Sequence, residues 1–168
     1  KETRFRGVEL NTTRTGAVSI IGVFDEVTID GSRIHRANLH SVTNFEKYKF
    51  GVGDIITVYK ANMIVPQIAE NKMMSGTYEL PKFCPCCGER LTFRFNQSGV
   101  KELYCPNEDC IARHSQRIAR FCDKQAMNIE GLSASVVERM MAHGWLKSYK
   151  DIYQLNLVIR KIEQISGV

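Results

Sequence analysis

The chain has 168 residues, of which 43% are hydrophobic and 24% charged, a composition that excludes an intrinsically disordered protein. Its formal charge of +5 suits a polyanionic partner, although an ordinary basic protein has the same charge. No apolar run reaches the ~20 residues that span a bilayer and no signal peptide opens the sequence, so we expect no membrane partner.

Residues 1–72 predict a small β-barrel. The density of β-branched and aromatic residues predicts five strands, with one short helix between the third and the fourth. The strands are expected over residues 1–10, 18–29, 32–39, 55–60 and 66–70, and the helix over residues 42–48. This order is that of a Greek-key OB-fold, and another small β-barrel is the alternative.

A cluster of six cysteines follows a linker predicted over residues 73–82. Without a secretory signal, the clustering favours a metal over disulfides. The spacing C-x2-C followed by C-x4-C predicts four zinc ligands, which are Cys84, Cys87, Cys105 and Cys110. Four thiolates leave no open coordination position, so the site is expected to be structural rather than catalytic. With a hairpin over residues 91–104, residues 83–112 predict a zinc ribbon or finger.

The sequence also offers other possible ligands and metals. Gly88 gives the permissive backbone that a knuckle needs after its second ligand, which selects Cys87 and leaves Cys86 free. Cys122 lies on an apolar helix face and is expected in a core. His114 as a ligand and an iron–sulfur cluster in place of zinc remain weaker alternatives.

Residues 113–168 predict helices. The expected buried positions of the first helix are Ile111, Ser115, Ile118, Phe121 and Cys122, and its opposite face carries Arg113, Arg117, Arg120 and Lys124. A second helix, with Val136, Val137, Met140 and Met141 inward, ends at Gly144.

The turn Gly131-Leu132-Ser133 joins these two helices as in a helix-hairpin-helix element, whose unpaired N–H groups could hold a phosphate. A plain turn between packed helices is the alternative. Residues 151–155 and 157–165 begin a second such unit, and residues 165–168 would be its hairpin. Because the chain starts at Lys1 and stops in that hairpin, we expect it to be a segment of a longer protein.

Loops of the predicted barrel offer further candidates for nucleic-acid contact. Arg14 and Thr15 lie beside Gly16 in a polar turn, and Lys60 precedes Asn62-Met63-Ile64-Val65. Such loops commonly face nucleic acid in OB-folds, where Ile64 and Val65 would act as apolar wedges. The pattern alone favours the alternative that both are core residues. No catalytic centre is predicted.

Several motifs together resemble the central and C-terminal part of the bacterial NAD-dependent DNA ligase. They are Arg14-Thr15-Gly16-Ala17-Val18, Ala37-Asn38-Leu39-His40-Ser41, Val52-Gly53-Asp54, Cys84-Pro85-Cys86-Cys87-Gly88 and Ala126-Met127-Asn128-Ile129-Glu130-Gly131-Leu132. The resemblance implies a multidomain α+β architecture of OB-fold, four-cysteine zinc finger and truncated helix-hairpin-helix region. Thr28-Ile29-Asp30-Gly31 has threonine where the Lys-x-Asp-Gly motif of nucleotidyl transferases has its nucleophile.

The resemblance also implies DNA-binding residues. By position, Arg14, Thr15, Lys60, Ile64 and Val65 correspond to the family residues that fill the minor groove beside a nick, and Gly131 and Ser133 to the helical hairpin. The chain departs from the family pattern at Asn62 and Met63, which replace glycine and an acid, and at Ser133, which replaces glycine.

The function so implied is the DNA-binding part of a ligase that clamps nicked duplex DNA for phosphodiester bond formation, in replication and repair. The resemblance implies one structural zinc, with NAD and Mg²⁺ bound by the absent adenylation domain, so the fragment alone should be inactive. A monomer in a bacterial cytoplasm at the nucleoid, or of viral origin, is expected. The alternative is a stand-alone, non-enzymatic, zinc-containing nucleic-acid-binding module.

Overall fold

The computed structural model describes residues 1–155, which divide into two compact units, the second beginning at Glu108. Each unit is considered separately. The predicted second helical unit beyond residue 155, with its hairpin at residues 165–168, lies outside the described residues. Within the described part, no helix is both long and apolar enough to cross a membrane.

The first unit contains the predicted five strands and one helix. They are β1 (Glu2–Thr12), β2 (Ala17–Ile29), β3 (Ser32–Asn38), α1 (Val42–Tyr48), β4 (Ile55–Ala61) and β5 (Val65–Asn71). All pairings are antiparallel, in the order β5-β4-β1-β2, and β3 pairs with residues 21–29 of β2 on the edge opposite β1. The prediction of a helix between the third and fourth strands is therefore confirmed.

Aromatic rings form the centre of this barrel. Phe5 stacks on Phe50 at a centroid separation of 4.3 Å, and both rings are fully buried. Tyr78 meets Phe5 edge-on at 5.5 Å, and its hydroxyl accepts a hydrogen bond from the backbone N–H of Val8. The segment 73–82, predicted as a linker, thus has no helix or strand but contributes a ring to the barrel core.

The cysteine-containing region adds a hairpin, as predicted, of β6 (Thr92–Phe95) and β7 (Lys101–Tyr104). Its place in the sheet was not predicted. β7 pairs antiparallel with the start of β2, with Ala17 opposite Tyr104 and Val18 opposite Leu103. The barrel sheet therefore continues into the hairpin between the cysteine pairs.

The second unit contains α2 (Ile111–Cys122), α3 (Ala134–Ala142) and α4 (Tyr149–Ile152). Its core is formed by buried residues of all three helices and the loop before α4, which are Ile118, Cys122, Val137, Met140, Leu146 and Ile152. Gly144 follows α3 with a φ of +72° and donates its N–H to the Met141 carbonyl, as its predicted role requires.

Two assignments on α2 were wrong. Ile111, expected in the core, is 53% exposed, and Arg113, expected on the charged outer face, is only 3% exposed. Ile111 is the first residue of α2. The helical period places it on the same face as the buried residues, but a residue at the end of a helix need not meet another element to pack on. The burial of Arg113 includes Nε of its guanidinium group, and a hydrophobicity pattern does not predict the burial of a charged group.

A buried carboxylate joins three segments of the barrel. Asp54, just before β4, accepts hydrogen bonds from the backbone N–H of Gly51 (2.9 Å), from Asn71 Nδ2 (2.7 Å) and from Ser75 Oγ (2.7 Å). Burial raises the pKa of Asp54, but the hydrogen bonds from Asn71, Ser75 and Gly51 outweigh burial and lower it. The ionised carboxylate is therefore the form that the fold stabilises.

Replacing Asp54 with alanine should lower the free energy of unfolding by about 3 kcal/mol, because several buried donors lose their acceptor. Since folding lowers this pKa, the stabilisation is complete above the ordinary value of about 3.9 and is lost as the pH falls through the folded-state value. Urea unfolding at pH 7 and pH 3 measures both effects, and the difference between the two proteins should shrink at pH 3. The matched control Glu26→Ala removes only an exposed acid 3.7 Å from Arg33 and should leave stability unchanged. Equal losses in the two variants would contradict this role of Asp54.

Candidate metal centre and nucleic-acid surface

The four predicted ligands converge. The Sγ atoms of Cys84, Cys87, Cys105 and Cys110 all lie within 4.8 Å of one another. Cys87 Sγ and Cys105 Sγ are 3.6 Å apart, well beyond a disulfide bond of about 2.05 Å. Around a tetrahedral ion with bonds of about 2.3 Å, sulfur atoms are separated by roughly 3.8 Å. The cluster therefore has the dimensions and the donor set of a single-metal site.

The first cysteine pair lies in a tight knuckle. The backbone N–H of Cys84 donates to the Glu89 carbonyl at 2.8 Å, and the N–H of Gly88 donates to the Cys84 carbonyl at 3.0 Å. Gly88 has a φ of +71°, a conformation that favours glycine. The reasoning that paired Cys87 with Gly88 therefore agrees with the local geometry. Cys86 is exposed and lies outside the group of four, and Cys122 is buried in the helical core.

The cluster strongly perturbs its own thiols. Burial raises the pKa of Cys84, but hydrogen bonds from the Thr12 side chain and the backbone of Cys86 and Cys87 lower it to about 6. Burial together with the sulfur atoms of Cys87 and Cys84 raises the pKa of Cys105 to about 12. Ionisation of Cys84 is thus favoured, whereas ionisation of its buried neighbour Cys105 is opposed. A cation among the four sulfur atoms would remove this opposition.

The turn between β1 and β2 lies against the cysteine cluster. Thr12, the last residue of β1, is buried, and its Oγ1 is 3.3 Å from Cys84 Sγ. Beyond the turn, the Gly16 carbonyl accepts a hydrogen bond of 2.8 Å from the backbone N–H of Cys105. Sequence reasoning missed Thr12, because nothing near it in the chain indicates a partner 72 residues away.

Gly16 has no room for a side chain. Its φ is +92°, and a Cβ there would lie 2.8 Å from Tyr104 Cε2 and 2.9 Å from the Cys105 carbonyl oxygen. Arg14 and Thr15, two of the predicted DNA-binding residues, are exposed in the turn that Gly16 closes. The turn is closed further by the Gly16 N–H, which donates to the Thr13 carbonyl at 2.9 Å.

The turn between β4 and β5 presents apolar side chains to solvent. Met63 is 83% exposed, Ile64 77% and Val65 47%, so the interpretation of Ile64 and Val65 as core residues is wrong. Asn62 and Met63 have φ values of +50° and +60°, and the Ile64 N–H donates to the Ala61 carbonyl, as in a type I′ turn. This geometry points the residues outward without the glycine of the family pattern. A left-handed conformation costs an ordinary residue about 1–2 kcal/mol, which Met63 bears.

Gly131 and Ser133, the two DNA-binding residues predicted in the helical hairpin, lie in the second unit between α2 and α3. Gly131 has a φ of +81° with open space around its Cα, and it is exposed. Ser133 is the N-cap of α3, and its hydroxyl accepts a hydrogen bond of 3.4 Å from the Val136 N–H. Serine in place of glycine therefore has a structural role as a cap.

Lys60, near the end of β4 in the first unit, is half-buried.

Comparisons with known proteins agree on one family. Residues 2–77 match the NAD-dependent DNA ligase OB-fold domain. The chain is 39% identical to a DNA ligase of Lachnoclostridium phytofermentans over 99% of its length, and 36% identical to one of Ruminiclostridium cellulolyticum over 100%. A DNA ligase of Malacoplasma penetrans is 30% identical over 92% of the chain. The chain spans about a quarter of the length of the first two relatives, at 25% of each, and 22% of the third.

Replacing Gly16 with alanine should destabilise the first unit more than the same change at Gly53. Both glycines have a φ of +92°, but nothing lies within 4 Å of a Cβ at Gly53. The strain of the backbone conformation is therefore common to both variants, and the excess loss at Gly16, about 1–3 kcal/mol, measures the clash with Tyr104 and Cys105. Urea unfolding followed by circular dichroism gives the two values. Equal losses would show that Tyr104 and Cys105 can move away freely.

Proposed function

We propose that the chain is a DNA-binding part of an NAD-dependent DNA ligase. It resembles bacterial DNA ligase along its whole length, and its residues 2–77 belong to the OB-fold domain family of those enzymes. The similarity over 99–100% of the chain to proteins named DNA ligase carries the proposal. In the intact protein this part clamps nicked duplex DNA while the nick is sealed.

The chemical steps are assigned to residues outside this chain. Thr28 stands where the lysine of a Lys-x-Asp-Gly motif would be, and Asp30 and Gly31 form the turn between β2 and β3, with φ values of +47° and +73°. A hairpin turn with threonine in place of the nucleophile supports this assignment. We infer that NAD and Mg²⁺ bind elsewhere in the intact enzyme, and that the chain alone does not join DNA ends.

We propose a single zinc ion at the four cysteines. The separation of the sulfur atoms supports one ion over a cluster of several iron atoms, because all four lie within 4.8 Å of one another. Zinc bound by four thiolates supplies structural cross-linking and leaves no position for a reactive water. The chain's own residues contribute the knuckle at Cys84–Gly88 and the hydrogen bonds that favour the Cys84 thiolate.

Two turns of the barrel are proposed to contact the DNA minor groove. The loops after the first and the fourth strand are the nucleic-acid-binding loops of OB-folds, and they carry Arg14 and Thr15 in one case and Ile64 and Val65 in the other. Two other arginines of the barrel form ion pairs, Arg6 with Asp25 at 2.6 Å and Arg36 with Glu9 at 3.3 Å. Lys60 lies near the end of β4, where its ammonium group would add a positive charge beside the second of these loops.

The second unit is proposed to add a helix-hairpin-helix contact. The α2–α3 turn exposes the backbone at Gly131, and α3 begins immediately after Ser133 with its N–H groups at the turn. Such N–H groups bind phosphate, with no dependence on base sequence. We propose that a monomer in the bacterial cytoplasm binds DNA through both units.

Metal content tests the ligand set. Cys84→Ser should abolish stoichiometric zinc, whereas Cys86→Ser should retain it, because Cys86 lies outside the group of four sulfur atoms. Inductively coupled plasma spectrometry on dialysed protein measures the ratio. Acidification should release zinc from the wild type, since protons compete for thiolate ligands. Loss of zinc on changing Cys86 alone would overturn the assignment.

DNA binding tests the proposed surface. Arg14→Ala should weaken binding to nicked duplex and reduce the slope of log affinity against log salt by about 1, as expected when one phosphate-neutralising charge is removed. Ile64→Ala should weaken binding with the salt slope unchanged, because the isoleucine side chain is apolar and neutralises no phosphate. Fluorescence anisotropy on nicked and intact duplexes measures both. The matched controls are Arg33→Ala, an exposed residue near the start of β3, and Val52→Ala, an exposed residue of the turn before β4. Equal effects in variants and controls would reject these turns as the DNA surface.

A further inference from the structure

Thr12 joins the cysteine cluster to the strand that leads into the Arg14–Thr15 turn. It is 3% exposed, and its Oγ1 lies within hydrogen-bond distance of Cys84 Sγ, at 3.3 Å. A hydroxyl can donate to a thiolate, whereas a metal-bound thiolate can only accept. With a metal present, the direction of this hydrogen bond is therefore fixed, with Thr12 as donor. Partners of this kind orient metal ligands and tune metal affinity.

The other end of the same turn is held by a second ligand. The Cys105 N–H donates to the Gly16 carbonyl at 2.8 Å, and Gly16 lies so close to Tyr104 and Cys105 that a Cβ there would be within 2.9 Å of both. Residues 13–15 are thus held between two attachments, one at Thr12 and one at Gly16. Each attachment is made to a different cysteine of the cluster.

We propose that Thr12 is a positioning residue through which the metal site sets the conformation of the Arg14–Thr15 turn and hence its affinity for DNA. The inference rests on the proposed function, since it takes the cluster as a metal site and the turn as a DNA contact. Bound metal would hold Cys84 and Cys105 at a fixed separation. Because Thr12 is attached to Cys84 and Gly16 to Cys105, the two ends of the turn would then be held at a fixed separation as well. When the metal leaves, the sulfur atoms are no longer held together and the turn loses its fixed ends.

Three variants of the full 168-residue chain isolate the hydroxyl. Thr12→Val keeps the shape and removes the donor, and Thr12→Ser restores a hydroxyl. The matched control is Thr3→Val, because Thr3 is a buried threonine of the same strand whose Oγ1 donates to a backbone carbonyl, that of Asp25, at 2.6 Å. It reports the cost of losing a buried hydroxyl that has no sulfur partner.

Metal affinity is the first measurement. Titration of Zn²⁺ against a chromophoric chelator should show affinity reduced about 10- to 100-fold in Thr12→Val, the range for partners of metal ligands. Affinity should recover in Thr12→Ser and stay at the wild-type value in Thr3→Val. With Co²⁺ as a probe, the thiolate-to-metal absorption band should shift in Thr12→Val and return in Thr12→Ser. Wild-type affinity in Thr12→Val, or an equal loss in Thr3→Val, would overturn the role of Thr12.

DNA affinity at saturating Zn²⁺ is the second measurement, made by anisotropy on nicked duplex. Thr12→Val should weaken binding in the wild-type background but add little to Arg14→Ala, because both changes act on the same interaction with DNA. Additive losses, or no loss in Thr12→Val, would overturn the coupling to the turn. If the wild type bound no duplex, the proposed DNA contact and the coupling would both fail, while the metal measurements would still decide the role of Thr12.

Discussion

The close approach of Gly16 to Tyr104 and Cys105 is the constraint on which the first unit depends. A single methyl group at Gly16 would lie 2.8 Å from a ring carbon and 2.9 Å from a backbone oxygen. Immediately after Gly16, β2 pairs with β7 at Ala17 and Val18, so that one sheet includes both the barrel and the cysteine hairpin. The turn that precedes β2 is thereby brought onto the cysteine cluster.

Charged groups of the first unit are stabilised in different ways in the interior and at the surface. The buried charge of Asp54 is satisfied by donors from a turn, a strand end and a loop. Surface arginines of the barrel are largely neutralised by acids on neighbouring strands, as in the pair of Arg6 and Asp25. The cysteine cluster is different, because its four sulfur atoms favour one thiolate and oppose a second without a cation. The four sulfur atoms are close enough together to hold a metal ion.

The turn between β4 and β5 combines an unfavourable backbone conformation with exposed apolar side chains. Two successive residues with positive φ, Asn62 and Met63, reverse the chain at the tip of the turn, and Ile64 follows them with its side chain exposed. Glycine at the second position would relieve the backbone but would present no side chain. Met63 therefore combines a strained backbone conformation with an 83% exposed side chain.

Local patterns in the sequence determined the secondary structure and the ligand spacing. The five strands, the helix at Val42–Tyr48 and the four converging cysteines all follow from periodicity, turn residues and knuckle spacing, because those features act over a few residues. Tertiary structure alone decided the pairing of β2 with β7, the exposure of Ile64 and the burial of Arg113. It also brought Thr12 to Cys84, a contact that joins positions 72 residues apart. Such contacts depend on how distant segments pack, and neither hydrophobic periodicity nor spacing along the chain encodes that packing.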